Sequence, residues 1–257
     1  MTVRLAVAGK GGAGKTTVSA TLARLAARQG RRVLVIDGDS NPNVAVALGC
    51  EREIAAGMLP LPTGLVSRRL DGPALVEPVT TVIERHAVKA PDDVAVMLMA
   101  MPAHADEGCL CSAHATVSAM LADVGNQGDF VSVLDLEASP EHLSRGTTRH
   151  VDALLLVVEP YYRSYETARR MGLLAAELPI PRVGVVANKL RTEDDRDAIS
   201  EFCDRHGLEL VATLPWSDRV LDADRAGQAL IDYDPDGPVV TAVSELADDL
   251  LKVAARP

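Results

Sequence analysis

The chain carries a glycine- and lysine-rich loop near its N-terminus, the run Gly9 to Thr17 (GKGGAGKTT), which fits the pattern G-x-x-x-x-G-K-[ST]. Glycines let consecutive backbone N–H groups in such a loop point at phosphate oxygens. The apolar run 3–8 before it predicts a strand, and the helical spacing of apolar residues over 16–28 predicts a helix. Because the positive end of that helix also faces the anion, the sequence predicts a nucleotide site.

The residues of this loop have distinct predicted tasks. Its backbone and small side chains are expected to surround the nucleotide phosphates through Gly11, Gly12, Ala13, Gly14, Lys15, Thr16 and Thr17. Lys15 is also expected to reach the β- and γ-phosphates during catalysis, and the Thr16 hydroxyl to ligate Mg²⁺. The alternative is a glycine-rich turn without a ligand, which the agreement of motif and strand–helix context disfavours. A second lysine, Lys10, follows the first glycine although the pattern does not require it.

Two further strand-like runs end in acidic residues. The run 34–36 (LVI) is followed by Asp37 and, two residues on, Asp39, so both carboxylates enter the loop beside the phosphates. The run 130–134 is followed by Asp135, a Walker B pattern in which the carboxylate holds Mg²⁺. A strand-ending aspartate is common in α/β folds, so Asp135 is informative only together with the phosphate loop.

Strand-like runs recur along the chain, with helical patterns between several of them. They are 32–36, 94–98, 130–134, 153–158, 182–187 and 209–213. The alternation predicts an α/β fold, a P-loop NTPase with a mostly parallel sheet flanked by helices on both faces. We expect a single domain over residues 1–257, with a loop-rich insertion at about 51–91, where prolines and glycines interrupt the patterns.

Composition and charge limit the classes of partner that the chain is expected to bind. The formal net charge of −10 argues against a nucleic-acid partner. No apolar run reaches transmembrane length and no signal peptide pattern precedes the first strand, so we expect a cytoplasmic protein with no membrane partner. The acidic segment 244–251 (SELADDLL) would be repelled by anionic lipid.

The run from Lys10 to Thr17 (KGGAGKTT) resembles the deviant Walker A loop of the MinD/ParA/nitrogenase-iron-protein ATPases. The resemblance implies that the ligands are ATP, ADP and Mg²⁺, and that Lys10 acts in catalysis by reaching across a homodimer. It implies that Asp39 positions the attacking water and that Asp37 lies near Mg²⁺. It also implies that Asn188 contacts adenine and that Pro215 belongs to the adenine pocket. The alternatives for Lys10, Asp39 and Asn188 are ordinary loop or turn residues.

The four cysteines fall into two groups. Cys50 and Cys203 lie in helical patterns and are predicted to be buried structural thiols. Cys109 and Cys111 flank one residue just before a predicted helix, where both thiols can face one ion and the helix N-terminus lowers their pKa. Thiolates suit Zn²⁺, Ni²⁺ or Cu⁺, and a symmetric dimer would complete a four-ligand shell. A lone C-x-C pair is weak evidence by itself.

Three segments resemble the CooC-type accessory ATPases of carbon monoxide dehydrogenase, namely 108–111 (GCLC), 137–147 (EASPEHLSRGT) and 158–168 (VEPYYRSYETA). The resemblance implies a metallochaperone that binds a divalent metal, Ni²⁺ or Zn²⁺ with nickel preferred, between the cysteines of two subunits. It further implies delivery of the metal to a carbon monoxide dehydrogenase-like client enzyme. His104, His114 and His142 are interpreted as surface or helix-cap residues rather than as further ligands.

Two alternatives remain open. The first is a ParA/MinD-type partitioning or positioning switch that acts through nucleotide-dependent dimerisation. The second is a regulatory ATPase that uses the two neighbouring cysteines as a redox pair, which we rank lower because such a disulfide ring is strained. The nitrogenase iron protein is a poor match, because the candidate switch segment 136–142 contains no cysteine.

Overall fold

The computed structural model describes residues 2–69, 72–99 and 111–253. The strands of this part are β1 (Val3–Gly9), β2 (Arg32–Gly38), β3 (Val66–Arg69), β4 (Gly72–Leu75), β5 (Val88–Lys89), β6 (Ala95–Leu98), β7 (Phe130–Leu136), β8 (Ala153–Val158), β9 (Arg182–Leu190) and β10 (Glu209–Pro215). Its α-helices are α1 (Lys15–Arg28), α2 (Val44–Ala47), α3 (Arg52–Ala56), α4 (Val79–His86), α5 (Cys111–Val124), α6 (Glu141–Ser144), α7 (Tyr162–Ala176), α8 (Glu193–His206), α9 (Asp218–Ala226), α10 (Leu230–Tyr233) and α11 (Pro238–Val253).

The main sheet has eight strands in the order β10-β9-β8-β1-β7-β2-β6-β5. Every neighbouring pair in it is parallel except β5 and β6, which pair antiparallel at one edge. The predicted α/β class with a mostly parallel sheet is therefore confirmed. Most observed strands run a few residues past the predicted ones, because the backbone ladder continues beyond the last apolar side chain.

Alternating side chains of the central strands point into two separate cores. On β2, Val33 and Val35 face the core that contains α1 and α11, whereas Leu34 and Ile36 face the core that contains α5 and α7. Both faces of the sheet are thus covered by helices, as a parallel sheet requires. This arrangement explains why the strands are apolar over their whole length rather than at every second residue.

The segment 51–91 has more regular structure than the expected loop-rich insertion. It contains α3, the antiparallel hairpin β3–β4, α4 and the edge strand β5. The Leu61 backbone N–H donates to the Leu98 carbonyl at 2.9 Å, which fastens the segment to the sheet edge. Leu65, Leu75 and Val82 are buried in the same core as α5. Apolar residues scattered between the prolines are enough to dock these short elements. That the chain forms one domain remains a prediction.

The parallel register brings chemistry-bearing residues to one edge of the sheet. Asp37 and Asp135 are Cα partners on β2 and β7, and Asp135 is also the partner of Val7 on β1. Gly9 ends β1 and begins the phosphate loop. Since the carboxyl ends of parallel strands meet at one edge, this edge is where an open α/β sheet binds its ligands.

The helix that follows the phosphate loop is anchored by a buried arginine. Arg24 of α1 is 2% exposed. Its Nε donates to Asp92 at 2.6 Å, its Nη2 donates to Asp232 at 2.9 Å, and its Nη1 donates to the Leu48 carbonyl at 2.6 Å. One guanidinium therefore joins α1 to three other segments.

Of the helices in the described ranges, none is both long and apolar enough to cross a lipid bilayer.

Candidate nucleotide and metal sites

The phosphate loop adopts a backbone that only glycine accepts without strain at several positions. Gly12 and Gly14 have φ of 82° and 97°. A Cβ on Gly14 would lie 2.3 Å from Asn188 Nδ2, so the loop packs directly against the end of β9. Helix α1 begins at the next residue, Lys15, whose side chain is 6% exposed. The loop therefore presents its amides and the start of a helix to the same space.

Asp135 lies beneath the loop in a fully buried position. Thr16 Oγ1 donates to one of its carboxylate oxygens at 2.8 Å, and Ser19 Oγ donates to the other at 2.8 Å. The pKa of Asp135 is raised to about 7, mainly because a charged carboxylate loses its hydration when buried. The nearby carboxylate of Asp37 contributes to the same shift. A carboxylate in this condition favours the binding of a cation.

Asp37 organises the loop after β2. Its carboxylate accepts backbone N–H groups from Asn43 and Val44 at 2.9 Å and from Asp39 at 3.1 Å. Burial raises its pKa to about 6 despite these hydrogen bonds. Asp37 thus caps the start of α2 from a neighbouring strand. The half-buried Asp39 accepts the Asn41 N–H at 2.9 Å and borders the nucleotide cavity.

These residues fit a magnesium ion. Mg²⁺ prefers oxygen ligands and shares its coordination with substrate phosphates. Two buried carboxylates on neighbouring strands and the Thr16 hydroxyl supply such oxygens below the loop. Within residues 2–69, 72–99 and 111–253 no group of three or more His, Cys, Asp or Glu side chains is arranged to hold a metal.

A cavity of about 450 Å³ opens above the loop. It is large enough for a nucleotide, and its polar end is formed by the phosphate loop and Asp39. Its other end is formed by the last residues of β10 and the segment that follows, whose lining residues are Leu214, Pro215, Trp216, Ser217, Val220, Leu221 and Asp224. Trp216 is the single tryptophan of the chain, and the Arg191 guanidinium lies 3.8 Å from its ring centroid.

Asn188 and Lys189 tie the end of β9 to the phosphate loop. Asn188 Nδ2 donates to the Ala13 carbonyl at 2.7 Å, and Lys189 Nζ donates to the Gly12 carbonyl at 2.5 Å. Lys189 Nζ also lies 2.8 Å from the Glu159 carboxylate. Asn188 borders the cavity, as an adenine-binding residue must, and it also holds the loop in place.

Lys10 lies at the outer side of the loop. Its Nζ donates to the Gly11 carbonyl at 3.3 Å and lies 5.6 Å from the centroid of the Tyr161 ring. The Tyr161 hydroxyl in turn donates to Glu159 at 2.7 Å, and burial together with that carboxylate raises the pKa of Tyr161 to about 12. The second lysine is thus held against its own subunit.

Only half of the predicted cysteine pair can be placed. Cys109 lies outside the described residues, whereas Cys111 is exposed at the start of α5. The Cys111 sulfur is disulfide-bonded, and Arg145 Nη1 lies 3.2 Å from it. Cys50 and Cys203 are free and buried, as predicted.

The interpretation of the histidines as surface or helix-cap residues is wrong for two of them. His114 and His142 are 4% and 2% exposed, and their ring centroids lie 4.7 Å apart. Burial lowers the pKa of both, that of His114 to about 4, so both rings are neutral at neutral pH. His104 lies outside the described residues.

Four residues of the site carried no predicted role. Ser19 lies one turn after Thr16 on α1, a spacing that signals a shared face. Lys189 directly follows Asn188 and has φ of 62°, a conformation that its sequence does not announce. Glu159 and Tyr161 belong to a segment noted for its resemblance, but their contacts depend on the packing of β8 beside β1.

The comparisons agree with this geometry. A model for the CobQ/CobB/MinD/ParA nucleotide binding domain (CbiA) matches residues 5–231. The chain is 33% identical over 241 residues to the carbon monoxide dehydrogenase accessory protein CooC of Rhodospirillum rubrum, covering 91% of each. It is 27% identical over 249 residues to the septum site-determining protein MinD of Bacillus subtilis, covering 95% of this chain and 86% of MinD.

Solved structures show the same fold. MinD of Pyrococcus horikoshii, complexed with Mg-ADP, matches with a TM-score of 0.72 at 19% identity, covering 99% of this chain and 98% of that one. Cobyrinic acid a,c-diamide synthase of Mycobacterium smegmatis, with bound ADP and magnesium, matches with a TM-score of 0.66 at 22% identity, covering 99% and 96%. The family model spans most of the chain, and the phosphate loop, Thr16 and Asp135 stand at the carboxyl edge of the sheet. The chain therefore belongs to the CobQ/CobB/MinD/ParA nucleotide-binding family and is a P-loop ATPase.

Proposed function

We propose that this chain is an ATP-dependent accessory factor that binds a divalent metal, with nickel preferred, and delivers it to a carbon monoxide dehydrogenase-like enzyme. The observation that carries the proposal is the 33% identity to CooC over 91% of both chains, together with a cysteine pair at 109 and 111. Cys111 is the first residue of α5, and the Arg145 guanidinium lies 3.2 Å from its sulfur, so the sulfur of the reduced protein would stand beside a positive charge. A thiolate at this position suits a soft or borderline metal.

The nucleotide site would work through its own residues as follows. The loop amides and Lys15 hold the phosphates, Thr16 and Asp135 hold Mg²⁺, and Asp39 orients the attacking water. Bound Mg²⁺ would supply charge neutralisation at the phosphates. Asn188 and the segment at Pro215 would enclose the adenine. ATP hydrolysis in this setting is slow and serves as a conformational switch.

Closure of two subunits would complete both sites. Lys10 would leave the Tyr161 ring and reach the nucleotide of the partner copy. The cysteines of both copies would meet on the two-fold axis, since two thiolates are half of a four-ligand shell. The metal is therefore cargo held only while two copies are joined, and its release follows their separation.

A positioning switch of the MinD type is the second candidate, favoured by the 27% identity to Bacillus subtilis MinD. In such a switch the readout would be a surface rather than a metal. The C-terminal helix α11 argues against a lipid-binding form of it. The apolar face of α11 is buried against α1 and β10 through Val239, Val243, Leu246 and Leu250.

Metal binding by the reduced protein is the decisive experiment. The wild type, reduced and freed of metal, is titrated with Ni²⁺ or Zn²⁺ in the presence of ADP or ATP. We expect one metal per two chains and an increase in the dimeric fraction on size-exclusion chromatography. The variant Cys109→Ser/Cys111→Ser should lose metal binding while retaining nucleotide binding.

The remaining cysteines provide the control. Cys50→Ala and Cys203→Ala alter buried thiols that lie in the cores, so they should retain the metal. Tight binding by the double serine variant would reject the metallochaperone proposal. If the wild type binds no metal, and the double serine variant forms dimers to the same extent as the wild type, the MinD-type switch is favoured.

A further inference from the structure

Two buried histidines lie between the nucleotide loop and the cysteine helix. His142 belongs to α6, which follows the candidate switch loop after β7. His114 belongs to the first turn of α5, three residues after Cys111. Neither histidine lines the nucleotide cavity, and the proposed chemistry does not use them.

His142 is bonded to the loop that carries Asp39. Its Nε2 lies 3.1 Å from the Gly38 carbonyl, and because a carbonyl only accepts, Nε2 carries the hydrogen. The fit is close, since a Cβ on Gly38 would lie 3.0 Å from His142 Cε1. The imidazole ring is therefore packed directly against the Gly38 backbone and hydrogen-bonded to its carbonyl.

The other side of the His142 ring meets the cysteine helix. The ring stands edge-on to that of His114, at an interplanar angle of 71°. His114 Nδ1 lies 2.7 Å from Thr147 Oγ1, and the Thr147 N–H donates to the His142 carbonyl at 2.9 Å. The two rings and Thr147 thus form a closed, buried set of contacts.

A second contact runs along the outside of the same short helix. Arg145 Nε donates to Glu141 at 2.6 Å, and Arg145 Nη1 lies 3.2 Å from the Cys111 sulfur. Helix α6 therefore contacts the Asp39 loop through one side chain and the start of α5 through others. A shift of α6 would change the surroundings of Cys111.

His142 also has an unexplained polar atom. Its Nδ1 is buried and has no hydrogen-bond partner among the described residues. A buried acceptor left without a partner costs free energy, and such groups in native proteins call for an explanation. A histidine retained at this cost suggests a task that a simple apolar residue would not perform.

We propose that the His142–His114 pair transmits the nucleotide state from the Asp39 loop to Cys111, with His142 acting as a positioning residue. Contact of the γ-phosphate with the Asp39 loop would displace the Gly38 carbonyl. His142 would follow it, and His114 would carry the displacement into the first turn of α5. Coupling through two packed rings links two sites that share no ligand, as allosteric linkage requires. The inference rests on the proposed function for the purpose of the movement, although the link itself can be measured without any metal.

The test follows the alkylation of Cys111 in the reduced protein. Iodoacetamide labelling of the Cys111 peptide is timed by mass spectrometry with ADP and with a non-hydrolysable ATP analogue, both with Mg²⁺. For wild type we expect the two rates to differ by about fivefold or more, the lower range of allosteric coupling. The single Trp216, which borders the cavity, reports nucleotide binding by its fluorescence.

Two substitutions separate the two contacts of His142. His142→Phe keeps a ring against His114 but cannot donate to the Gly38 carbonyl, whereas His142→Asn keeps a donor but loses the ring. Both should bind nucleotide with nearly wild-type affinity, and both should bring the two alkylation rates within about twofold of each other. The matched control is Leu143→Met on the same helix, a volume-conserving change at a residue 3% exposed, which should keep the wild-type difference.

The outcomes are decisive for the link and separable from the metal proposal. Equal rates in wild type, or an undiminished difference in both His142 variants, overturns the link. A nucleotide-dependent rate in wild type that both His142 variants lose, in a protein that binds no metal, establishes the link and rejects the metal cargo. If Leu143→Met loses the difference as well, general loosening of α6 accounts for the effect and the assignment to His142 is rejected.

Discussion

The phosphate loop and the start of the cysteine helix are built in opposite ways. The loop is held from three sides by Asp135, Asn188 and Lys189, and its Lys15 is buried. Cys111 is exposed at a helix start, beside the flexible side chain of Arg145. One region is shaped in advance for its ligand, whereas the other leaves room for ligands from elsewhere.

This difference indicates what each region would do in the proposed cycle. A preorganised loop binds phosphates with little further ordering, which suits a ligand that is present in every state. An exposed thiol at the edge of a helix binds a metal firmly only when other ligands join it. Such a site releases its cargo when those ligands withdraw, and a delivery protein requires that behaviour.

The largest expected effect comes from Asp135→Asn. Asp135 is the proposed Mg²⁺ ligand, so its loss should lower ATP hydrolysis by about 100-fold or more, in line with the several kcal/mol that a catalytic metal supplies. Phosphate release measures the rate. Metal binding by the cysteines in the absence of nucleotide should stay unchanged, because the Asp135 carboxylate is bonded to Thr16 and Ser19 and not to the cysteine helix.

The control for this variant is an acid of the same type at the surface. Asp204→Asn changes an exposed residue of α8 and should leave hydrolysis within about twofold of wild type. A fully active Asp135→Asn protein would contradict the assignment of Asp135 as the Walker B residue. If Asp135→Asn also lost metal binding in the absence of nucleotide, Asp135 would be acting on the cysteine region as well, contrary to this prediction.

A smaller effect is expected from the arginines that anchor the loop helix. Arg24 and Arg28 pair with the same two acids, Asp92 and Asp232, but Arg24 is buried and Arg28 has a side chain 40% exposed. Arg24→Met should lower the free energy of unfolding by about 2 kcal/mol, because hydrogen bonds to charged groups are lost in a dry environment. Arg28→Met, the matched control, should cost about 0.5 kcal/mol.

Urea denaturation of the nucleotide-free protein measures both values. If Arg24→Met also weakens ATP binding while the alkylation rate of Cys111 without nucleotide stays the same, this anchor acts on the nucleotide region and not on the cysteine helix. Equal losses of stability in the two variants would show that burial does not decide the strength of this anchor.

Much of the nucleotide site could be predicted because its chemistry is local. The run from Gly9 to Thr17 contains both the turn and the first ligands, and Asp37 and Asp135 follow apolar runs that any parallel sheet aligns. The mostly parallel sheet likewise follows from the alternation of strands and helices, whereas its antiparallel edge strand β5 was not predicted. Features that depend on a few consecutive residues can therefore be predicted from the sequence.

Contacts between distant segments could not be predicted in this way. His114 and His142 meet only because α5 and α6 pack against one another, and an isolated histidine looks the same on a surface as in a core. Lys189 reaches Gly12 across 177 positions of sequence. The short elements within 51–91 were missed because prolines hide their periodicity, although docking of a few leucines is enough to order them.

The last expected effect is a dependence of stability on pH to which Asp135 and Asp37 of the nucleotide region contribute. Burial raises the pKa of Asp135 to about 7 and that of Asp37 to about 6, both above the ordinary value of 3.8. Between about pH 4 and pH 7 the folded state therefore binds more protons at these residues than the unfolded state. Their contribution to stability is full below about pH 4 and is lost as the pH rises through the folded-state pKa values.

The wild type and Asp135→Asn are compared by urea denaturation in EDTA from about pH 5 to about pH 7.5. The free energy of unfolding should decline more steeply with pH in the wild type, since the variant lacks one of the two buried carboxylates. Mg²⁺ with ADP should reverse the trend in the wild type only, because the cation binds the ionised carboxylate. Identical slopes in EDTA would contradict the raised pKa of Asp135, and a slope that Mg²⁺ leaves unchanged would separate the buried acids from the metal.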